Sequence, residues 1–133
     1  MICLAGLLTV GACAPARAAG SHGTTEQIAW VRRAAHNFLT AEIGGDGGSA
    51  CGVLAAPLRA STRAGSCESR WDARLRGMLH DPHVRASLHA DLHVVAGAAV
   101  QVHGGSASIA LPAPLLNGRS RFEWSENCWM LRG

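Results

Sequence analysis

The sequence predicts an α+β domain, and three observations carry that expectation. Apolar residues recur three and four apart from Thr25 to about Leu79, they alternate beyond about Leu92, and Gly- and Pro-rich punctuation separates the segments without a long linker. Helices that come first and an antiparallel sheet that follows them define the class. A length of 133 residues suits one small core, and an apolar fraction of 48% with 16% charged residues excludes disordered and collagen-like chains. All twelve basic residues are arginine and the formal net charge is +3. The arginines run from Arg17 to Arg132 without forming a stripe interleaved with aromatics, so no nucleic-acid partner is expected.

The chain opens with an uncharged run, Met1 to Cys13, in which ten of thirteen residues are apolar. That is too short to span a bilayer, which takes about 20 residues, and suits a secretory core of roughly 7–15. Its end, Val10-Gly11-Ala12-Cys13, resembles the lipobox of bacterial lipoproteins. The resemblance implies that residues 1–13 are a signal peptide with lipobox, that Cys13 is lipidated, and that the protein is exported and anchored to the cell membrane through this lipid. Cleavage at the small-x-small site Ala16-Arg17-Ala18 is the alternative and would release a secreted protein. Residues 14–23 read as a flexible tether and residues 24–133 as the folded domain.

Thr24-Thr25-Glu26-Gln27 reads as a capping box with Thr24 as N-cap, and Ile28, Val31, Ala35, Phe38 and Leu39 then form one stripe of a helix running to about Ile43. Gly44-Gly45-Asp46-Gly47-Gly48 ends it. A shorter helix is expected from about Ser49 to Leu58, closed by Pro57. Ser66 caps a third, with Trp71, Leu75, Met78 and Leu79 on one face and Asp81-Pro82 as its stop. Val94, Ala96, Ala98, Val100 and Val102 then alternate as one face of a strand. His103-Gly104-Gly105-Ser106 turns into a second strand through Ala107, Ile109 and Leu111. After a loop from Pro112 to Gly118, strands Arg119–Trp124 and Asn127–Arg132 meet at a tight turn, Ser125-Glu126.

Five cysteines are present, two of them, Cys3 and Cys13, in the apolar leader. An exported chain meets an oxidising compartment, so Cys51 and Cys67, each near an expected helix start, are the expected disulfide pair. Cys128 is left over as a small buried hydrophobe, with an intermolecular disulfide or a reactive thiol as alternatives.

The order of these pieces resembles the nuclear transport factor 2-like (SnoaL-like) cone, and more narrowly small exported actinobacterial proteins of that superfamily. The resemblance is carried by the first helix ending in Gly44-Gly45-Asp46-Gly47, by Ala50-Cys51-Gly52-Val53-Leu54, by Cys67 opening the next helix, by the hairpin from Val100 to Ile109 and by Trp129 near the end. It covers residues 25 to 132 and implies N-terminal helices packed on a curved antiparallel sheet, with an apolar concavity between them. Function then follows as an expectation: an exported envelope lipoprotein that binds a small apolar ligand or an envelope protein without catalysis and without a cofactor. A protein-interaction or adaptor module and a SnoaL-like enzyme with a pocket His/Asp pair are the alternatives.

Candidate chemistry is sparse. Ketosteroid isomerases of the superfamily use a tyrosine, and this chain has none. Asp91, Glu123 and Glu126 are the carboxylates in or beside the expected sheet and read as exposed. Five of seven histidines fall between His80 and His103. His80 and His83, three apart, and His89 and His93, four apart, would each share a helix face as metal ligands do, but Pro82 divides the first pair and His93 falls in the expected strand. No metal is therefore expected, and these four remain weak candidates. Trp30, Phe38, Trp71 and Trp124 are the candidate residues for a ligand pocket.

Overall fold

A twenty-residue helix, α1 (Thr24–Ile43), buries Val31, Ala34, Ala35, Phe38, Leu39, Ala41 and Glu42 along one broad stripe. The computed structural model describes residue 13 and residues 24–60, 66–113, 115, 120–125 and 127–133. The expected signal residues 1–12, the tether 14–23 with its alternative cleavage site, and Glu126 lie outside the described residues. Thr24, expected as the cap, is the first helical residue of α1. The helix ends in a Schellman motif: Asp46 N–H donates to Ala41 O at 2.9 Å and Gly45 N–H to Glu42 O at 3.1 Å. Gly45 has φ +65° there, a left-handed conformation that glycine adopts without steric penalty.

Among the described residues four further helices follow: α2 (Gly47–Val53), α3 (Ala56–Ala60), α4 (Cys67–Leu79) and α5 (Pro82–Val94). Asp46 caps α2, its Oδ1 accepting from Ser49 N–H at 3.0 Å and its Oδ2 from the Ser49 hydroxyl at 2.6 Å. These bonds hold the Asp46 carboxyl below its ordinary value. Ser66 caps α4 through Ser69 N–H, as the sequence predicts. The expected single helix from Ser49 to Leu58 is instead α2 and α3, divided at Leu54, which turns extended to pair with Leu131. Pro57 accordingly stands in the first turn of α3 rather than closing a helix; a first-turn N–H has no intrahelical partner to lose.

A second correction concerns the start of the sheet. Asp81 caps α5 through His83 N–H at 2.8 Å and Pro82 is its first residue, so the expected stop is also a start. Val84, Leu88, Asp91 and Leu92 continue at helical spacing, and a 3₁₀ turn, Val95–Gly97, follows. The Val94–Val102 alternation is therefore strand only from Val100.

The sheet is an open four-stranded antiparallel meander in the order β1 (Val100–His103), β2 (Ser106–Ile109), β3 (Arg121–Ser125), β4 (Cys128–Leu131). The Gly104-Gly105 hairpin is as expected, pairing His103 with Ser106, and Gly104 at φ +57° supplies the left-handed first turn position. The last turn lies one residue later than expected, because Ser125 pairs with Cys128 and Asn127 takes φ +62°. One face of the sheet, with Ala107, Ile109, Phe122, Trp129 and Leu131, is buried in a core shared with α1, while Gln101, His103, Ser106 and Arg121 on the other face are exposed.

Two disulfides staple this arrangement. Cys51 on α2 is bonded to Cys67 at the start of α4. Cys13 is bonded to Cys128 and forms an antiparallel bridge with it. The second bond corrects two expectations. A sulfur in a disulfide carries no thiol for a thioether, so Cys13 is cross-linked where lipidation was expected, and Cys128 has a partner instead of being the odd thiol. Disulfides are the mark of an oxidising, exported environment. Among the described residues no helix is long and apolar enough to cross a membrane.

Gly47 makes the α2–α4 seam close. A Cβ at this position would lie 2.5 Å from Glu68 O and 2.6 Å from Asp72 N, and Gly47 N–H donates to Asp72 Oδ1 at 2.8 Å. Gly47→Ala should therefore destabilise the protein by about 1–3 kcal/mol in urea unfolding, the usual range for forcing a methyl into packed backbone. Replacing Cys51 and Cys67 together by alanine should lose about 3 kcal/mol in the same measurement, the loop-closure term for a separation of 16 residues.

Candidate functional site

Among the described residues, the surface clefts include three beside α1 and on the sheet. The first, about 400 Å³, lies between α1 and the 3₁₀ turn and is lined by Ala29, Arg32, Arg33, His36, Val95 and Ala96. The second, about 570 Å³, runs between α1 and α2 past Asn37, Thr40, Asp46 and Ser49, and it shares His36 with the first. The third, about 230 Å³, lies on the sheet among Gln101, His103, Ser108, Arg121 and Arg132.

The α1 clefts exist because helical spacing leaves one face of α1 uncovered. Ala29, Arg33 and Thr40 are exposed, Arg32, His36 and Asn37 are half-buried, and the opposite side carries the core stripe. Arg32 is held in place, its Nε–H donating to Ala98 O at 2.9 Å, just beyond the 3₁₀ turn. His36 Nδ1 is buried without a hydrogen-bond partner. None of these residues stood out in the sequence. The signal was there as two adjacent arginines followed by a histidine at i+3 and i+4, a spacing that gathers cations on one helix face.

The candidate pocket residues divide into two aromatic clusters. Phe38 and Trp71 are core residues in an edge-to-face contact at 5.5 Å, and Arg74 lies 5.1 Å over the Trp71 ring. Trp30 stacks on Trp124 at 5.7 Å, and Trp124 meets Trp129 at 5.4 Å. None of the four candidates lines any of these clefts. None of the four histidine candidates lines these clefts either. His80 caps the end of α4, His83 is the second residue of α5, and His89 and His93 lie one turn apart at exposed positions of α5, where His93 was expected in a strand. Among the described residues no group of three or more His, Cys, Asp or Glu side chains could hold a metal ion.

Among the described residues, the buried titratable side chains are Glu42 and Asp91. Asp91, expected exposed before a strand, is 1% exposed on α5, where its Oδ1 accepts from Ala113 N–H at 3.0 Å and ties the following loop to the helix. Burial raises its pKa against the lowering effect of that bond. Glu42 is 2% exposed, and its Oε1 has no hydrogen-bond partner. Desolvation pushes it from 4.5 to about 8, with the Arg74 charge opposing and the Asp91 charge adding to the rise. Sequence reasoning missed Glu42, although it continues the Ala35–Phe38–Leu39 stripe at i+7, i+4 and i+3. Neither acid lines any of these three clefts.

The chain matches no family model, no curated protein and no solved structure.

The raised Glu42 pKa makes stability depend on pH with a definite sign. The folded state holds the Glu42 proton up to about 8 while the unfolded chain releases it near 4.5, so this contribution is complete below 4.5 and is lost as pH rises to 8. Unfolding free energy should fall by up to about 1.4 kcal/mol per pH unit across that window. Glu42→Gln should flatten the dependence and be the more stable form at pH 8, measured by urea titration at pH 5, 6.5 and 8.

Proposed function

We propose that this chain is an exported, non-catalytic binding module of the cell envelope, taking its ligand on the free face of α1. The observation that carries the reading is the pair of disulfides, Cys13–Cys128 and Cys51–Cys67, which fix the edge of the sheet and the helical layer of a chain folded in an oxidising space. Two further features support binding over catalysis. Glu42 and Asp91, the buried acids that a proton-transfer enzyme would use, line none of these clefts, and the carboxylate that does, Asp46 in the cleft between α1 and α2, is engaged by Ser49 as a helix cap.

Kinship with nuclear transport factor 2-like proteins is part of the same proposal, supported by a long first helix lying on the inner face of an antiparallel meander. The apolar ligand that such a cone implies has little support. Phe38, Phe122, Trp129 and Leu131 fill the contact between α1 and the sheet. An adaptor role is the second reading, favoured by the exposed polar face of the sheet.

Intact and peptide mass spectrometry of the protein from its native host, after alkylation without reduction, tests the proposal. An envelope or culture-fluid protein that retains Cys13, contains a Cys13–Cys128 linked peptide and takes up no alkylating agent at Cys13, Cys51, Cys67 or Cys128 is expected. A diacylglyceryl mass on Cys13 with an alkylated Cys128 would restore lipid anchoring in place of the disulfide, and reduced thiols in a cytoplasmic fraction would end the export reading.

A further inference from the structure

We propose that the cleft between α1 and the 3₁₀ turn Val95–Gly97 binds a phosphoryl oxyanion through Arg32, Arg33 and His36. The inference rests on the binding reading above and adds the chemical class of the ligand. Its lining brings two guanidinium groups and an imidazole together and, among the described residues, contains no carboxylate. The sheet cleft also carries two arginines and a histidine, but Arg132 there is paired with Glu123 at 3.8 Å.

Arg32 is pre-positioned for the role. Its Nε–H is spent on Ala98 O, which fixes the plane of the guanidinium, while its Nη groups make no hydrogen bond or ion pair among the described residues. A guanidinium already held in place loses less conformational freedom when an anion docks, and its remaining N–H groups are those that chelate phosphoryl oxygens. Arg33 is exposed beside it and has no ion pair among the described residues. His36, one turn further along the helix, carries a buried Nδ1 that lacks a partner among the described residues, an unfavourable state that a polar ligand relieves.

The opposite wall, Val95 and Ala96, is small and apolar, and a Cβ on neighbouring Gly97 would meet nothing within 4 Å, so the approach is open. A volume of about 400 Å³ is at the lower end of small-ligand sites. A planar carboxylate is satisfied by one guanidinium fork, whereas donors on three side chains suit the several acceptor oxygens of a tetrahedral phosphoryl group. That group could belong to a soluble phosphate ester or to an anionic lipid headgroup.

Two-dimensional ¹⁵N NMR of the disulfide-intact protein, titrated with inorganic phosphate against sodium chloride of equal ionic strength, tests the site. Saturable shifts confined to residues 29–36 and 95–98 are expected with phosphate and not with chloride. Arg33→Gln, an exposed change that leaves the core untouched, should weaken binding about fivefold to tenfold, the loss of one charge-assisted contact. Arg32→Lys, which keeps the charge and removes the fork, should weaken it similarly, and Arg121→Gln on the outer sheet face should leave it unchanged. Sedimentation with phosphatidic acid vesicles against phosphatidylcholine vesicles separates the sources: an Arg33-dependent shift to the anionic vesicles assigns a lipid headgroup, and a response to free phosphate alone assigns a soluble ester. Absence of a saturable shift, or an equal loss in Arg121→Gln, overturns the phosphoryl site; with the two disulfides still found in exported protein, the broader binding proposal would stand.

Discussion

The burial of α1 is the constraint on which the rest of the molecule depends. Its twenty residues form a rod of about 30 Å. Around it pack α2, α5, the 3₁₀ turn and strands β1, β2 and β4, with α4 joined through the Phe38–Trp71 contact. Each of these elements is too short or too weakly apolar to be stable alone, since an isolated helix below about 12–15 residues is marginal in water. They are held because α1 offers all of them one continuous apolar wall. What α1 leaves uncovered then follows by subtraction: the strip through Ala29, Arg33, His36 and Thr40 is the face onto which both helical clefts open.

A wall made largely of alanine gives close approach but little area. Ala34, Ala35, Ala41, Ala50 and Ala107 are all buried, and an alanine contributes far less to burial than a leucine or phenylalanine does. The fold offsets this with constraints that act through geometry. Gly47 lets α2 lie directly on the backbone of α4, the Cys51–Cys67 bond holds that seam closed, and the Cys13–Cys128 bond ties a further residue to the outer edge of β4. At the far end of the same edge, Ala55 N–H donates to Leu131 O at 2.9 Å. Strand β4 is thereby covered at both ends, which limits the exposure of unpaired backbone groups on an edge strand.

Much of this was legible in the sequence where one local rule acted alone. The α1 stripe, the Ser66 cap, the Gly104-Gly105 hairpin and the Cys51–Cys67 pairing each follow from spacing, a short-range hydrogen bond or a turn conformation. The misses share a different cause, which is competition between rules. The Val94–Val102 run alternates and so suits a strand, but its first residues complete the α5 stripe, and packing against α1 decides in favour of the helix and a 3₁₀ turn. Pro57 is compatible with either end of a helix, and the long-range pairing of Leu54 with Leu131 selects the beginning of α3. Cys128 could not be assigned because its partner lies 115 residues away in a segment that reads as a signal. The cationic cleft was hidden for a similar reason: Arg32, Arg33 and His36 are visible as neighbours on a helix, while the wall that makes them a cleft comes from Val95 and Ala96.

The distribution of charge connects the core to the surface. Glu42, with its pKa near 8, is mostly protonated at neutral pH, so the folded protein carries close to one unit more positive charge than the formal +3. Burial of an acid in the core thus removes a negative charge that would otherwise oppose the cations of the α1 face. That gain is long-range and weak, and salt limits its reach to about 10 Å at 0.1 M. It cannot by itself select a ligand. Selection must come from contact, where the fixed guanidinium of Arg32 and the unpartnered nitrogen of His36 act at hydrogen-bond distance and are little affected by screening. The overall charge brings anions of any kind toward the protein, and the geometry of one helix face decides which of them stays.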